Sequence, residues 1–187
     1  MKKVFKITSL LIAAICISTC IVSAQEKTVM VGGAAMYPSK NIVENAMNSK
    51  DHTTLVAAVK AAGLVETLEG TGPFTVFAPT NEAFNKLPAG TVDNLLKPEN
   101  KDQLTAILTY HVVAGKIDSK TLMDWIKKNN GTYTATTIQG GKLMFSMKGN
   151  NLMVMDESGN SAKVTIKDVY QSNGVIHVID AVLMPKN

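Results

Sequence analysis

Residues 175–179 read Val-Ile-His-Val-Ile, a run with no polar face. Side chains of a strand point alternately to the two sides of a sheet, so a strand that is apolar at every position must be covered on both sides. This run demands layered structure, with packing against each face of its sheet, and excludes a simple helix bundle or a one-sided hairpin sheet. Asn173-Gly174 precedes it as a turn pair.

The rest of the second half reads as strands. Thr132 to Ile138 is rich in β-branched residues, Gly140-Gly141 marks a turn, and Leu143, Phe145 and Met147 then alternate with more polar neighbours. Leu152 and Val154, then Ala162, Val164 and Ile166, repeat the alternation across turns at Gly149-Asn150-Asn151 and Ser158-Gly159-Asn160. The first half instead shows helical spacing. Short helices are expected over Ile42 to Met47 behind Ser39, from about His52 to Ala62 behind Asp51, after Thr80 or Asn81 through Leu87, and from Thr91 or Asp93 to Leu96. A stronger helix carries Leu104, Ile107, Leu108 and His111 with Gly115 as its stop, and another opens at Asp118 or Ser119 and ends near Gly131. Between them, Phe74 to Ala78 forms a strand closed by Pro79, which has no amide to donate. The expected class is α+β, a single domain of antiparallel strands flanked by short helices.

The amino terminus restricts the setting. A basic start at Lys2, Lys3 and Lys6, an apolar run from Ile7 to Val22 and small residues at Ser23 and Ala24 form the pattern of a signal peptide cleaved after Ala24. An uncleaved anchor would need a longer apolar span. A lipoprotein modified at Cys20 or Cys16 is a further alternative, although the residues before each match a lipobox poorly, and such anchoring or envelope association is the expected route to a membrane. Both cysteines fall in residues 1–24, so an exported remainder must hold itself together by core packing rather than disulfides. Residues 25–187 contain sixteen lysines, fifteen acidic residues and no arginine, which argues against nucleic acid as a partner. Residues 25–38 read as a flexible lead-in and 39–187 as the domain.

Three blocks, in order, carry a family resemblance. Phe74-Thr75-Val76-Phe77-Ala78-Pro79-Thr80-Asn81-Glu82-Ala83-Phe84, the pair Tyr110-His111, and Asn173-Gly174-Val175-Ile176-His177-Val178-Ile179-Asp180 with Leu183 and Pro185 resemble the motifs of the fasciclin-like domain family. The resemblance implies a β-wedge or sandwich flanked by short helices. It also implies a secreted or cell-surface module that acts in adhesion or protein interaction, binds a protein or glycan surface, and has no catalytic activity and no cofactor. In animal matrix members an acidic residue followed by an aliphatic one, shortly before the closing Asn-Gly, is associated with partner binding. Asp168-Val169 occupies that place.

The residues themselves support plainer roles. Phe77, Pro79, Thr80, Tyr110, His111, His177 and Asp180 read as fold determinants. His111 lies on the apolar side of a helix and His177 within an apolar strand, so each is expected to be buried and paired. His52 is expected at the surface or as a helix cap, Asp168 as a solvated charge at a strand end, and Asn100-Lys101-Asp102 as a helix start. Two other functions are weighed. A periplasmic small-ligand binder needs an apolar pocket of roughly 300 Å³ or more. A metal-dependent hydrolase would have to gather the three histidines with Asp118 or Asp180, yet no pair has helix-borne ligand spacing and no Gly-x-Ser-x-Gly elbow is present.

Overall fold

The computed structural model describes residues 27–186. In chain order these form β1 (Val29–Val31), β2 (Ala34–Met36), α1 (Ile42–Ala46), a 3-10 turn (Lys50–His52), α2 (Thr53–Ala62), α3 (Val65–Glu69), β3 (Phe74–Pro79), α4 (Asn81–Asn85), α5 (Thr91–Leu95), a second 3-10 turn (Pro98–Asn100), α6 (Lys101–Tyr110), β4 (Val112–Ala114), α7 (Ser119–Lys128), β5 (Thr132–Thr136), β6 (Lys142–Lys148), β7 (Asn151–Met155), β8 (Ser161–Gln171) and β9 (Gly174–Ile179). The expected signal peptide lies outside the described residues.

The doubly apolar strand is β9, third in a seven-stranded sheet of order β4-β3-β9-β8-β7-β6-β5. All six of its residues are buried. One face, with Ile176 and Val178, packs into a core shared with α1, α2, α6, Val76 and Ala78. The other, with Ile179, joins a core of Phe77, Tyr110, Leu122, Ile126, Leu143, Phe145 and Val154. The sheet curls, and a single bridge between Val113 and Thr137 brings its two ends together, so the second core is the inside of a near-barrel closed at one end by α7.

Three expectations need correction. The sheet is not wholly antiparallel: β3 runs parallel to β9 with Phe77 opposite His177, while its other neighbour β4 is antiparallel. Hydrophobic alternation carries no information about strand direction, and β3, apolar on both faces, suits an interior parallel position. Residues 29–36 of the lead-in are also ordered, since β1 and β2 pair as a hairpin whose Val31 and Met36 are buried against the helical core. Finally, Gly115 ends β4 rather than α6, taking φ +98°, whereas the helix stops at Tyr110.

Local chemistry accounts for most of the boundaries. Asn41, rather than Ser39, caps α1 in a reciprocal box with Glu44, and Thr80 Oγ1 accepts from Ala83 N at 3.3 Å to start α4. Gly174 is required by proximity rather than by a turn: a Cβ there would stand 2.2 Å from the Phe74 carbonyl oxygen of the paired strand. The Asn173 side chain accepts from Ile42 N at 3.0 Å and donates to Leu68 O at 2.7 Å and Gly70 O at 3.0 Å, tying the start of β9 to α1 and α3.

Candidate functional site

The polar residues of the three sequence blocks gather where elements meet. His177 lies on β9 with no exposed surface. Its Nε2 donates to the Ile117 carbonyl at 2.9 Å and its Nδ1 accepts from the Asp168 amide at 3.3 Å. A carbonyl can only accept and an amide can only donate, so these two partners admit one neutral tautomer. Burial depresses the basicity of the ring in the same direction.

Asp168, on β8, takes the left-handed conformation at φ +60° within an irregular stretch of the β8–β9 ladder. Its carboxylate turns inward, accepting from Ser119 N at 2.6 Å and from the Ser119 hydroxyl in a short hydrogen bond. Asp168 is therefore half-buried and holds the first turn of α7, which corrects the expectation of a solvated strand-end charge. The neighbouring Asp118 caps the same helix, and the Thr121 amide at 2.8 Å keeps its carboxyl below the usual range. Val169 is 1 % exposed and points into the helical core.

This geometry gives Asp168 a part in stability. Asp168→Ala removes the acceptor for two Ser119 donors and places alanine where φ is positive, so stability should fall by about 1–3 kcal/mol. Asp168→Asn, which tolerates that backbone and keeps one acceptor, should lose markedly less. Thermal melts of the two variants check this, and an Asp168→Ala melt that overlays the wild type would contradict the inward role.

His111 forms a second cross-tie of the same kind. Its Nδ1 donates to the Ile107 carbonyl at 2.8 Å and its Nε2 accepts from the Leu183 amide at 3.0 Å, joining the end of α6 to the segment after β9. Complete burial pushes its pKa down to about 4. Tyr110 beside it is fully buried; its hydroxyl donates to Lys142 O at 2.7 Å and accepts from Glu157 N at 3.2 Å, linking α6 to β6 and the β7–β8 turn. Phe77 lies between the two systems, stacked at 5.5 Å on His177 and 5.2 Å from Phe145. Pro79 ends β3 opposite Ile179, and Asp180 accepts from Lys163 N at 2.7 Å.

His52 departs from expectation. It is 3 % exposed, pairs with the Ser49 hydroxyl at 2.8 Å through Nδ1, and leaves Nε2 without a hydrogen bond. The Ala78 carbonyl lies close enough to favour the charged ring but not in bonding geometry, and burial outweighs it, so the pKa is lowered. A residue ahead of an amphipathic helix looks exposed in sequence; here the β1–β2 hairpin covers it, with Gly32 O accepting from Lys50 N at 3.1 Å. Sequence reasoning also missed the buried polar ties of Ser119, Asn173, Gln171, Asn45 and Asp156. Gln171 offered a signal, since it follows Val169 by two and so shares its inward face.

Together these groups lock elements to one another through buried and half-buried hydrogen bonds. His111 and His177 have both nitrogens committed to backbone partners. Among the described residues, no group of three or more His, Cys, Asp and Glu could hold a metal ion, and no helix is long and apolar enough to cross a membrane. A largely enclosed cavity of about 50 Å³, bordered by Ile42, Val59, Leu68, Val76 and Ile176, is apolar and lies beneath α1 and α2.

Comparison with known proteins agrees with this architecture. The model of the fasciclin domain matches residues 50–185. Protein sll1483 of Synechocystis is 49 % identical over 160 residues, covering 86 % of this chain and 82 % of that one. The immunogenic protein MPB70 of Mycobacterium bovis is 41 % identical over 145 residues, covering 75 % and 66 % respectively. The cell surface glycolipoprotein MPB83 of the same species is 38 % identical over 160 residues, covering 83 % and 64 %. The FAS1 domain pair of the insect cell adhesion molecule fasciclin I superposes with TM-score 0.70 at 18 % identity, over 79 % of this chain and 52 % of that pair, and so shares the fold. With the motif residues serving as its internal ties, the chain belongs to the fasciclin domain family.

Proposed function

We propose that the chain is an exported, non-catalytic module that acts at or beyond the cell envelope by binding other proteins. The observation that carries this reading is the expenditure of its chemistry indoors: the histidines of the family motifs are held neutral between backbone groups, and Asp168 is spent on Ser119, leaving surface recognition as the available activity. The names of its relatives, a cell surface glycolipoprotein and an immunogenic protein, and the adhesion molecule that shares its fold, support the same reading. The leader-like residues 1–24 add the expected route of export. A contact at the Asp168 segment would run through the exposed Lys167 and Tyr170, which flank the half-buried Asp168 and the buried Val169.

The small-ligand alternative receives less support. The enclosed cavity of about 50 Å³ falls well below what a drug-sized ligand occupies. The wider hollow of about 490 Å³ beside α5, bordered by Asp93, Asn94, Lys97 and Met184, is open and as polar as it is apolar.

The test uses mature protein, beginning at Gln25, immobilised and presented with envelope fractions and extracellular-matrix proteins, alongside a panel of ester substrates. Saturable, protease-sensitive retention without ester turnover is the expected result. Hydrolysis that scales with protein concentration and survives repurification would overturn the reading.

A further inference from the structure

Strands β5 to β8 turn one face into the near-barrel and the other outward. Their register fixes which side chains share the outer face, because residues directly opposite in an antiparallel pair lie on the same side. Tyr133, Phe145, Val154 and Ala162 are aligned across the four strands and face inward. The next row therefore faces out: Met144 stands opposite Met155, and Met153 is opposite Lys163. Met144 is 37 % exposed, Met153 and Met155 are half-buried, and the exposed Lys142, Lys148 and Lys163 surround them. The exposed threonines of β5 complete the surface.

Two properties of this face are unusual for a chain with sixteen lysines and fifteen acidic residues beyond residue 24. No Asp or Glu is among the outward-facing residues of 132–136, 142–148, 151–155 and 161–167, so these strands bring lysines without acidic residues of their own, and the carboxylates of Asp180, bonded to Lys163 N, and of Glu157, beside Gly141, come from neighbouring segments. The centre is also methionine, an unbranched side chain that adapts to an apolar partner and is enriched at protein interfaces.

Resting on the protein-interaction reading above, we propose that the outer face of β5–β8 is the docking surface for a protein whose matching patch is apolar at its centre and acidic around it. Charge complementarity selects the acidic rim. The methionines select a protein over an anionic polysaccharide, since no aromatic ring for sugars to stack on is among the outward-facing residues of 132–136, 142–148, 151–155 and 161–167, and carboxylates alone leave the apolar centre unmatched. They also select it over a lipid surface, because Met153 and Met155 are half-buried among their neighbours and do not protrude to insert. A second copy docked through the same face would set lysine against lysine.

A phage-displayed library of random peptides, selected on the immobilised mature domain, provides the probe, with phosphatidylglycerol vesicles and polygalacturonate tested in parallel. Three proteins are compared: wild type, the triple variant Lys142→Glu, Lys148→Glu, Lys163→Glu, and the double variant Met144→Ser, Met155→Ser, each first shown to melt as a folded domain. The expected result is enrichment of peptides that combine carboxylates with Met, Leu or Phe. The charge-reversed protein should bind them roughly tenfold more weakly or worse, the Met variant should also bind them more weakly, and wild-type binding should weaken as salt is raised. Peptides that bind the charge-reversed protein as tightly as wild type would overturn the proposal while leaving a protein-binding module intact. Vesicle or polygalacturonate binding that the reversal abolishes, with no such effect on peptides, would overturn it in favour of a lipid or a polysaccharide. A library yielding no binder would overturn both the proposal and the reading beneath it.

Discussion

Replacing Phe77 by alanine is expected to destabilise the domain by about 3–5 kcal/mol, a large share of the roughly 5–15 kcal/mol that holds a typical domain together. The side chain is 1 % exposed and lies at the centre of the near-barrel core. Its ring centroid is 5.2 Å from that of Phe145 and 5.5 Å from that of His177. Truncation removes both ring contacts and leaves a void that β3, hydrogen-bonded on both edges, cannot collapse to fill. Phe77→Leu, which keeps most of the volume, should lose much less, on the order of 1.5 kcal/mol. Denaturant unfolding of the two variants measures the difference. An unchanged midpoint for Phe77→Ala would show that this aromatic cluster does not anchor the sheet.

Acidification is the second large effect, and it comes from bases that the fold keeps neutral. The folded pKa of His111 is about 4 against its usual 6.5, so between those values the unfolded chain takes up a proton that the folded one refuses. The resulting stability is fully present above pH 6.5 and is lost as the pH falls toward 4. A difference of that size corresponds to about 3 kcal/mol. His177 and His52 are lowered in the same direction by burial and deepen the loss. A proton on His111 Nε2 would face the Leu183 amide hydrogen, and one on His177 Nδ1 would face the Asp168 amide hydrogen, so charging either ring also breaks a cross-tie. Melting temperatures measured from about pH 7.5 to about 4.5 should fall steadily, with most of the drop below 6.5. A flat profile across that range would contradict the neutral, buried state of these rings.

How far the sequence could be read follows the range of the interactions involved. Pro79 ends β3, Thr80 caps α4 and Asp118 caps α7, as their local chemistry requires, because each acts on amides within three residues of itself. The β5–β6 hairpin around Gly140-Gly141 and the interior position of Val175 to Ile179 follow from alternation that a few consecutive residues display. The family motifs were legible too, yet as names of positions rather than as a mechanism: nothing near Tyr110 in sequence announces that its hydroxyl will meet Lys142 O and Glu157 N.

By itself, then, the sequence determined the α+β class, the strand that must be covered on both faces, the caps and turns that delimit most elements, and the family whose blocks it carries. Tertiary structure alone decided that β3 and β9 run parallel, that the β1–β2 hairpin covers His52, that Asp168 turns inward to Ser119, and that lysines and methionines from three strands share one uncovered face. The physical reason is one of distance along the chain. A cap or a turn is settled among neighbours, whereas each of these features depends on a partner many residues away, brought into place only when the two cores close.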